Sequence, residues 1–298
     1  MIAEATTNGN ALWRYVERHR PAIEEALRKS LPLAPDAIET RFNEAVEYSA
    51  FPGGKRLRPV LTLLGAELCG GTATDVLHAA IAVEFIHTSS LIFDDLPAMD
   101  DSEERRGKLS LHKKYGEGLS TLVAIGFLNQ AYALVTLDAR GERRRSADAV
   151  LEIVECVGPA GMIGGQSVDL KLREIVECKI CSARIAGGVL NLKTSSLIRL
   201  ALRLGGILSG ANDKDLDNLS QFAENLGQAY QISDDIIDVT QDGSTNGASH
   251  CVNLDGSSAD KLTAATTRAK DVLTDNFSPC EARNHLVELV DYVSKREK

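Results

Sequence analysis

Nowhere does this chain run to the ~18 consecutive apolar residues that a membrane-spanning helix requires. Its opening, MIAEATTNGN, carries Glu4 and no apolar run before a small-residue cleavage site, so no secretory leader is expected. Long basic runs are also missing. With a net charge of -9, a polynucleotide partner is disfavoured. No sustained Val/Ile/Thr alternation is bounded by hairpin turns, so no sheet is expected. Six cysteines, an even count in a long chain, say little about disulfides. Cys178 and Cys181 have the spacing of half a zinc site, yet no second pair follows, and LREIVECKICSARIAG reads as a helix with ordinary thiols. A reducing, cytoplasmic setting is expected. No Ser-His-Asp or Cys-His arrangement offers a covalent nucleophile.

What remains is helix. The 298 residues are 44% hydrophobic, enough for one large all-α domain over 1–298 without metals or disulfides to hold its core. Apolar residues recur at helical spacing over 12–29, 36–49, 57–68, 73–93, 119–138, 147–163, 170–187, 195–208, 215–239, 259–274 and 280–295. Phe51-Pro52-Gly53-Gly54 breaks the series early, and the stretch 241–258 reads as a loop.

Carboxylates crowd two places. Asp94, Asp95, Asp100 and Asp101 follow the apolar Leu91-Ile92-Phe93, and Pro97 should end the helix and let Asp100 fold back. Asp234, Asp235 and Asp238 share one helical side with Gln231. Like charges so dense repel unless cations sit among them. Magnesium suits such sites, because it takes carboxylate oxygens and completes its shell with phosphate and water.

Cations complement these clusters. Lys55, Arg56 and Arg58 flank a glycine turn, Arg105 and Arg106 follow the first cluster, and His87 precedes Asp94 by two helical turns. Lys193-Thr194 stands before the 195–208 helix, where a hydroxyl and free backbone donors can meet a phosphate. Together they describe a pocket for a polyanion and metal beside an apolar wall.

GGKRLRP (53–59), FIHTSSLIFDDLPAMDDSEERRGKLSLHKKYGE (85–117), GGQSVDL (164–170), LKTSSLIR (192–199) and QISDDIIDV (231–239) resemble, in order, the motifs of the trans-isoprenyl diphosphate synthases. The resemblance implies a helical bundle around a central cavity, usually a homodimer, that joins an allylic prenyl diphosphate to isopentenyl diphosphate. By that resemblance Asp94, Asp95, Asp100, Asp234, Asp235 and Asp238 hold magnesium, three ions per site. Arg105, Lys193 and Gln231 contact the allylic diphosphate. Lys55, Arg58, His87 and Arg106 receive isopentenyl diphosphate, and Thr194 and Gln166 lie near the reacting carbons.

Departures from the family pattern bear on activity. Two lid lysines are replaced by Ala248 and Val252, a Gly-Asp pair reads Gly126-Phe127, and KTGAL reads KTSSL. The missing lysines leave open a non-catalytic or regulatory subunit, or a divergent enzyme that ionises prenyl diphosphates. Ser90 lies one turn below Asp94 with Ser89 beside it, and both are small. A product of C20 or longer is expected, with Ile86 and Ala82 as deeper wall and Phe127 as the alternative floor.

Overall fold

The structure, a computed structural model, describes residues 10–35, 37–38, 41–138, 142–174, 195–242 and 257–296. Its first helix, α1 (Ala11–Ser30), starts where Asn10 accepts a hydrogen bond from the Leu12 amide at 2.9 Å. One apolar stripe of α1, with Leu12, Val16, Ile23 and Leu27, is buried. The helix expected from 36 begins later, as α2 (Phe42–Ala50). The Asn43 side chain exchanges two hydrogen bonds with the Ala34 backbone, at 2.7 and 3.1 Å, and so ties the start of α2 to the non-helical stretch at Ala34.

The core is organised around α4 (Leu77–Asp95), whose residues are buried on nearly every side. A 3-10 turn, Ala73–Val76, leads into it. The buried Asp138 carboxylate anchors its start, accepting from the Ala79 amide and pairing with His78 Nδ1, each at 2.7 Å. Burial raises the pKa of Asp138, and the two bonds oppose that rise. Helix α6 (Glu117–Val135) packs along α4, where the Phe85 and Phe127 rings meet at 5.1 Å. Both α4 and α6 are apolar enough by composition to cross a membrane, but 72% of the relevant window of α4 lies inside the fold, as befits a core helix.

Between them, Glu104–Arg105 and Lys108–Leu109 form a two-stranded antiparallel hairpin, which the sequence pattern does not anticipate. Arg106 (φ 55°) and Gly107 (φ 72°) supply the positive dihedrals that so tight a turn needs. A short α5 (Leu111–Tyr115) follows the hairpin.

The helix expected over 147–163 ends earlier, as α7 (Arg143–Val157), and α8 (Met162–Glu174) starts before the helix expected over 170–187, whose residues past 174 lie outside the described residues. Gly161 explains the break: a Cβ there would sit 2.1 Å from the Cys156 carbonyl oxygen. Residues 195–209 are helical and form α9. It crosses α3 (Leu57–Leu68) backbone to backbone, since a Cβ on Gly65 would lie 2.3 Å from the Leu202 oxygen and one on Gly205 2.2 Å from the Thr62 oxygen. The remaining helices among the described residues are α10 (Asp213–Asp242), α11 (Ser257–Asn276) and α12 (Glu281–Lys295), packed on one another.

Candidate active site

The glycine turn before α3 is built around one arginine. Arg56 has φ 54°, is buried, and donates to Glu84 at 2.5 Å, to Glu24 at 2.8 Å and to the Ala50 carbonyl at 2.9 Å. Burial opposes its charge, but the two glutamates outweigh that and raise its pKa. Gly53 leaves it room, for a Cβ there would fall 1.9 Å from the guanidinium carbon. Of the three cations expected beside this turn, Arg56 is therefore structural. Lys55 on one side stays exposed and donates to the Tyr292 hydroxyl at 2.7 Å. Arg58 on the other side lines the main cavity.

That cavity, about 400 Å³, lies between α3, α4, α8 and α9. Arg58, His87, Asp94, Gln166, Ser167 and Ser90 give it polar points, and Leu91, Phe93, Met99, Met162, Ile163, Leu170 and Leu197 make the rest apolar. Arg58 Nη1 donates to His87 Nε2 at 3.1 Å. A guanidinium cannot accept, so the imidazole proton resides on Nδ1. Burial, with Arg58, Arg106 and Arg105 nearby, holds the His87 pKa well below its ordinary value, and the ring is neutral. His87 Nδ1 and Arg58 Nε are buried and have no hydrogen-bond partner among the described residues. Both residues line the cavity, so the positive charge of the Arg58 guanidinium is presented to an anion there.

The first carboxylate cluster fans out. Leu96 leaves the helix ahead of Pro97, and the Asp100 amide folds back to donate to the Asp94 carbonyl at 2.9 Å. The expected return of Asp100 towards Asp94 is thus made through the backbone. Asp94 faces the cavity. Asp95 turns the other way, is buried, and accepts from Nε and Nη2 of Arg105, which raises the pKa of that arginine. Asp101 pairs with Lys113 at 3.1 Å and lies 3.5 Å from His112. The side chain of Arg106 reaches over Gly54.

On α10, Gln231 donates to Asp235 at 3.0 Å, and Asp234 receives Arg296 at 2.6 Å. The side chain of Asp238 lies outside the described residues, as do Lys193, Thr194, Ala248, Val252, Cys178 and Cys181. Among the described residues, no three His, Cys, Asp or Glu side chains converge where they could hold a metal. The donors are hard oxygens, however. A hard cation would fit them if a bound diphosphate supplied the missing ligands.

The polyprenyl synthetase family model matches residues 39–271. The chain belongs to the trans-isoprenyl diphosphate synthase family. It is 38% identical over 230 residues to a chloroplastic geranylgeranyl pyrophosphate synthase of Arabidopsis thaliana, covering 76% of this chain and 63% of that one. To a dimethylallyltranstransferase of Fischerella ambigua it is 36% identical over 242 residues, covering 80% and 66% respectively. The chain thus spans a little under two thirds of these relatives. The apo crystal structure of an FPP/GFPP synthase from Zymomonas mobilis superposes with a TM-score of 0.82 at 28% identity, covering 95% of this chain and 98% of that one.

Within this synthase fold, the residues considered for chain length separate. Ser90 lines the cavity, whereas Ser89, Ile86 and Phe127 are buried and absent from its described lining. Ser89 stands one turn from Phe85, which packs on Phe127, so it belongs to the face turned towards α6. The motif pattern does not distinguish the faces of α4, because α4 is apolar all round. Sequence reasoning also misses Met99, whose Sδ lies 3.7 Å from Gln166 Nε2, and the pair Tyr292 and Arg296. Met99 stands within the first aspartate motif but carries no charge to mark it, and Tyr292 and Arg296 stand in no motif, although an arginine just past a helix in an acidic chain is a visible cue.

Proposed function

We propose that this chain is a trans-prenyltransferase catalysing magnesium-dependent, head-to-tail condensation of an allylic prenyl diphosphate with isopentenyl diphosphate. The observation that carries the reading is the hydrogen-bonded pair Arg58 and His87 together with Asp94 on the wall of one apolar cavity. Asp94, Asp100, Asp234, Asp235 and Asp238 would hold the metal ions against the allylic diphosphate, while Asp95 keeps Arg105 in position for it. Magnesium, three ions in the full site, supplies charge neutralisation of the departing pyrophosphate. Arg58 and His87, on the cavity wall, would bind and orient the isopentenyl diphosphate, whereas Lys55 and Arg106 stand outside the described lining of that cavity and are proposed for it on the family motif alone. The allylic carbon–oxygen bond breaks and its electron pair leaves with pyrophosphate. The double bond of isopentenyl diphosphate then attacks the allylic cation, and pyrophosphate takes the proton lost in forming the new double bond. Leu91, Phe93 and Met162 give the cation an apolar wall meanwhile. No protein nucleophile is needed.

Incubation with magnesium, isopentenyl diphosphate and each allylic primer, with products identified by mass, tests this. A prenyl diphosphate longer than the primer supports it. Metal-dependent diphosphate binding without any product favours the regulatory-subunit alternative.

The product proposed is C20 or longer, since the small Ser90 leaves the cavity open at the turn below Asp94. Ser90→Phe should shorten the main product by at least one isoprene unit, while Ser89→Phe should chiefly cost stability by overpacking, roughly 1–3 kcal/mol. Equal shortening by both would contradict the assignment of the two faces.

A homodimer is also proposed. Leu122 and Ile125 on α6 and Leu151 and Val154 on α7, each at least 50% exposed, make an apolar surface on two adjoining helices that a second copy would cover. Leu122→Glu combined with Leu151→Glu should convert a dimer to monomer in sedimentation; a monomeric parent protein would overturn the idea.

A further inference from the structure

The second aspartate cluster already has a cation of the chain's own. Arg296, the residue that follows α12, lays its guanidinium against the α10 face that carries Asp234. Its Nη2 donates to Asp234 Oδ1 at 2.6 Å and to the Tyr230 carbonyl at 2.8 Å, and its Nε donates to Ser233 Oγ at 2.9 Å. The guanidinium carbon lies 4.5 Å from the centre of the Tyr230 ring. The arginine side chain is 12% exposed, against 54% for the Asp234 side chain it neutralises. A long charged side chain just past a helix end normally stays in solvent, because fixing it costs rotamer entropy. Here three hydrogen bonds and an aromatic face hold it on a carboxylate assigned above to magnesium.

We propose that Arg296 is the resident counter-cation of the second aspartate cluster, a positioning residue that occupies Asp234 until magnesium and a diphosphate displace it. This rests on the magnesium reading given above. The guanidinium and a metal ion compete for the same carboxylate, so the contact raises the magnesium concentration needed to load the site. By linkage, loading must loosen Arg296 to the same degree. The displacement is readable nearby. Tyr292 lies one helical turn before Arg296, and its ring meets Trp13 edge-on with centroids 5.2 Å apart. Trp13 is the single tryptophan of the chain, so its emission reports the end of α12.

The test titrates magnesium into the whole chain at fixed inorganic pyrophosphate, followed by calorimetry and by Trp13 emission. Arg296→Gln should reach half-saturation at about tenfold lower magnesium than the parent, the scale of one charge-assisted contact. The emission change seen on loading the parent should largely be present in Arg296→Gln before metal is added. Ser233→Ala, which removes one bond to Arg296 and no charge, should shift the magnesium requirement in the same direction by less. On an Asp234→Asn background, Arg296→Gln should add nothing. Unchanged magnesium dependence in both Arg296→Gln and Ser233→Ala overturns the proposal and leaves the magnesium reading standing. Pyrophosphate binding that ignores magnesium in every form overturns both.

Discussion

Asp94→Ala is expected to lower kcat by about 100- to 1000-fold, while the melting temperature holds or rises slightly. The magnitude follows from removing one preorganised electrostatic contact at a site of developing charge. Asp94 is the member of its cluster that faces the cavity, whereas Asp95 turns away to Arg105. Its loss should therefore fall on the charge that develops in the transition state rather than on packing. Relief of repulsion among Asp94, Asp95 and Asp100 explains the expected gain in stability. Asp95→Ala makes the contrast. Asp95 is buried and bonded to Arg105, so its removal strands a half-buried guanidinium and should reduce both stability and turnover. Single-turnover rates with thermal melts for both variants decide the matter. Similar losses of kcat without any difference in melting temperature would show that the two carboxylates act alike.

Much of this architecture is legible in the residues themselves. The helices stand out because their apolar spacing is strong, and Pro97 and the glycine turn at 53–54 mark real ends. The boundaries that differ have local causes. Asn43 ties the start of α2 to the non-helical stretch at Ala34, and Gly161 divides α7 from α8 through a close backbone approach that no periodicity records. Residue roles are harder to read. Lys55, Arg56 and Arg58 are equivalent in a string of letters. Which of them turns inward is decided by Glu24 on α1 and Glu84 on α4, both distant in sequence. Ser89 and Ser90 likewise differ only in which wall of α4 they occupy, and a helix buried on all sides carries no amphipathic signal to tell them apart.

Arg56→Ala is expected to destabilise the fold by about 3–5 kcal/mol, the cost of leaving buried charges without a partner. Glu84 is almost fully buried at 3% exposure, and among the described residues Arg56 is the cation seen to bond it. The charge itself need not be what the fold requires. Arg56→Met combined with Glu84→Leu replaces the pair by apolar side chains, an exchange that is often close to neutral, and should recover much of the lost stability. Function should not recover with it. The inward hold on Arg56, with bonds to α1, to α4 and to the Ala50 carbonyl, fixes the left-handed turn from which Lys55 and Arg58 point to either side. Without that hold Arg58 loses its fixed approach to His87, and KM for isopentenyl diphosphate should rise more than kcat falls. Chemical denaturation of the single and double variants, paired with steady-state kinetics, separates the two roles. A double variant that regains stability and KM together would mean that the turn is set by its glycines alone and that Arg56 serves only to neutralise Glu84.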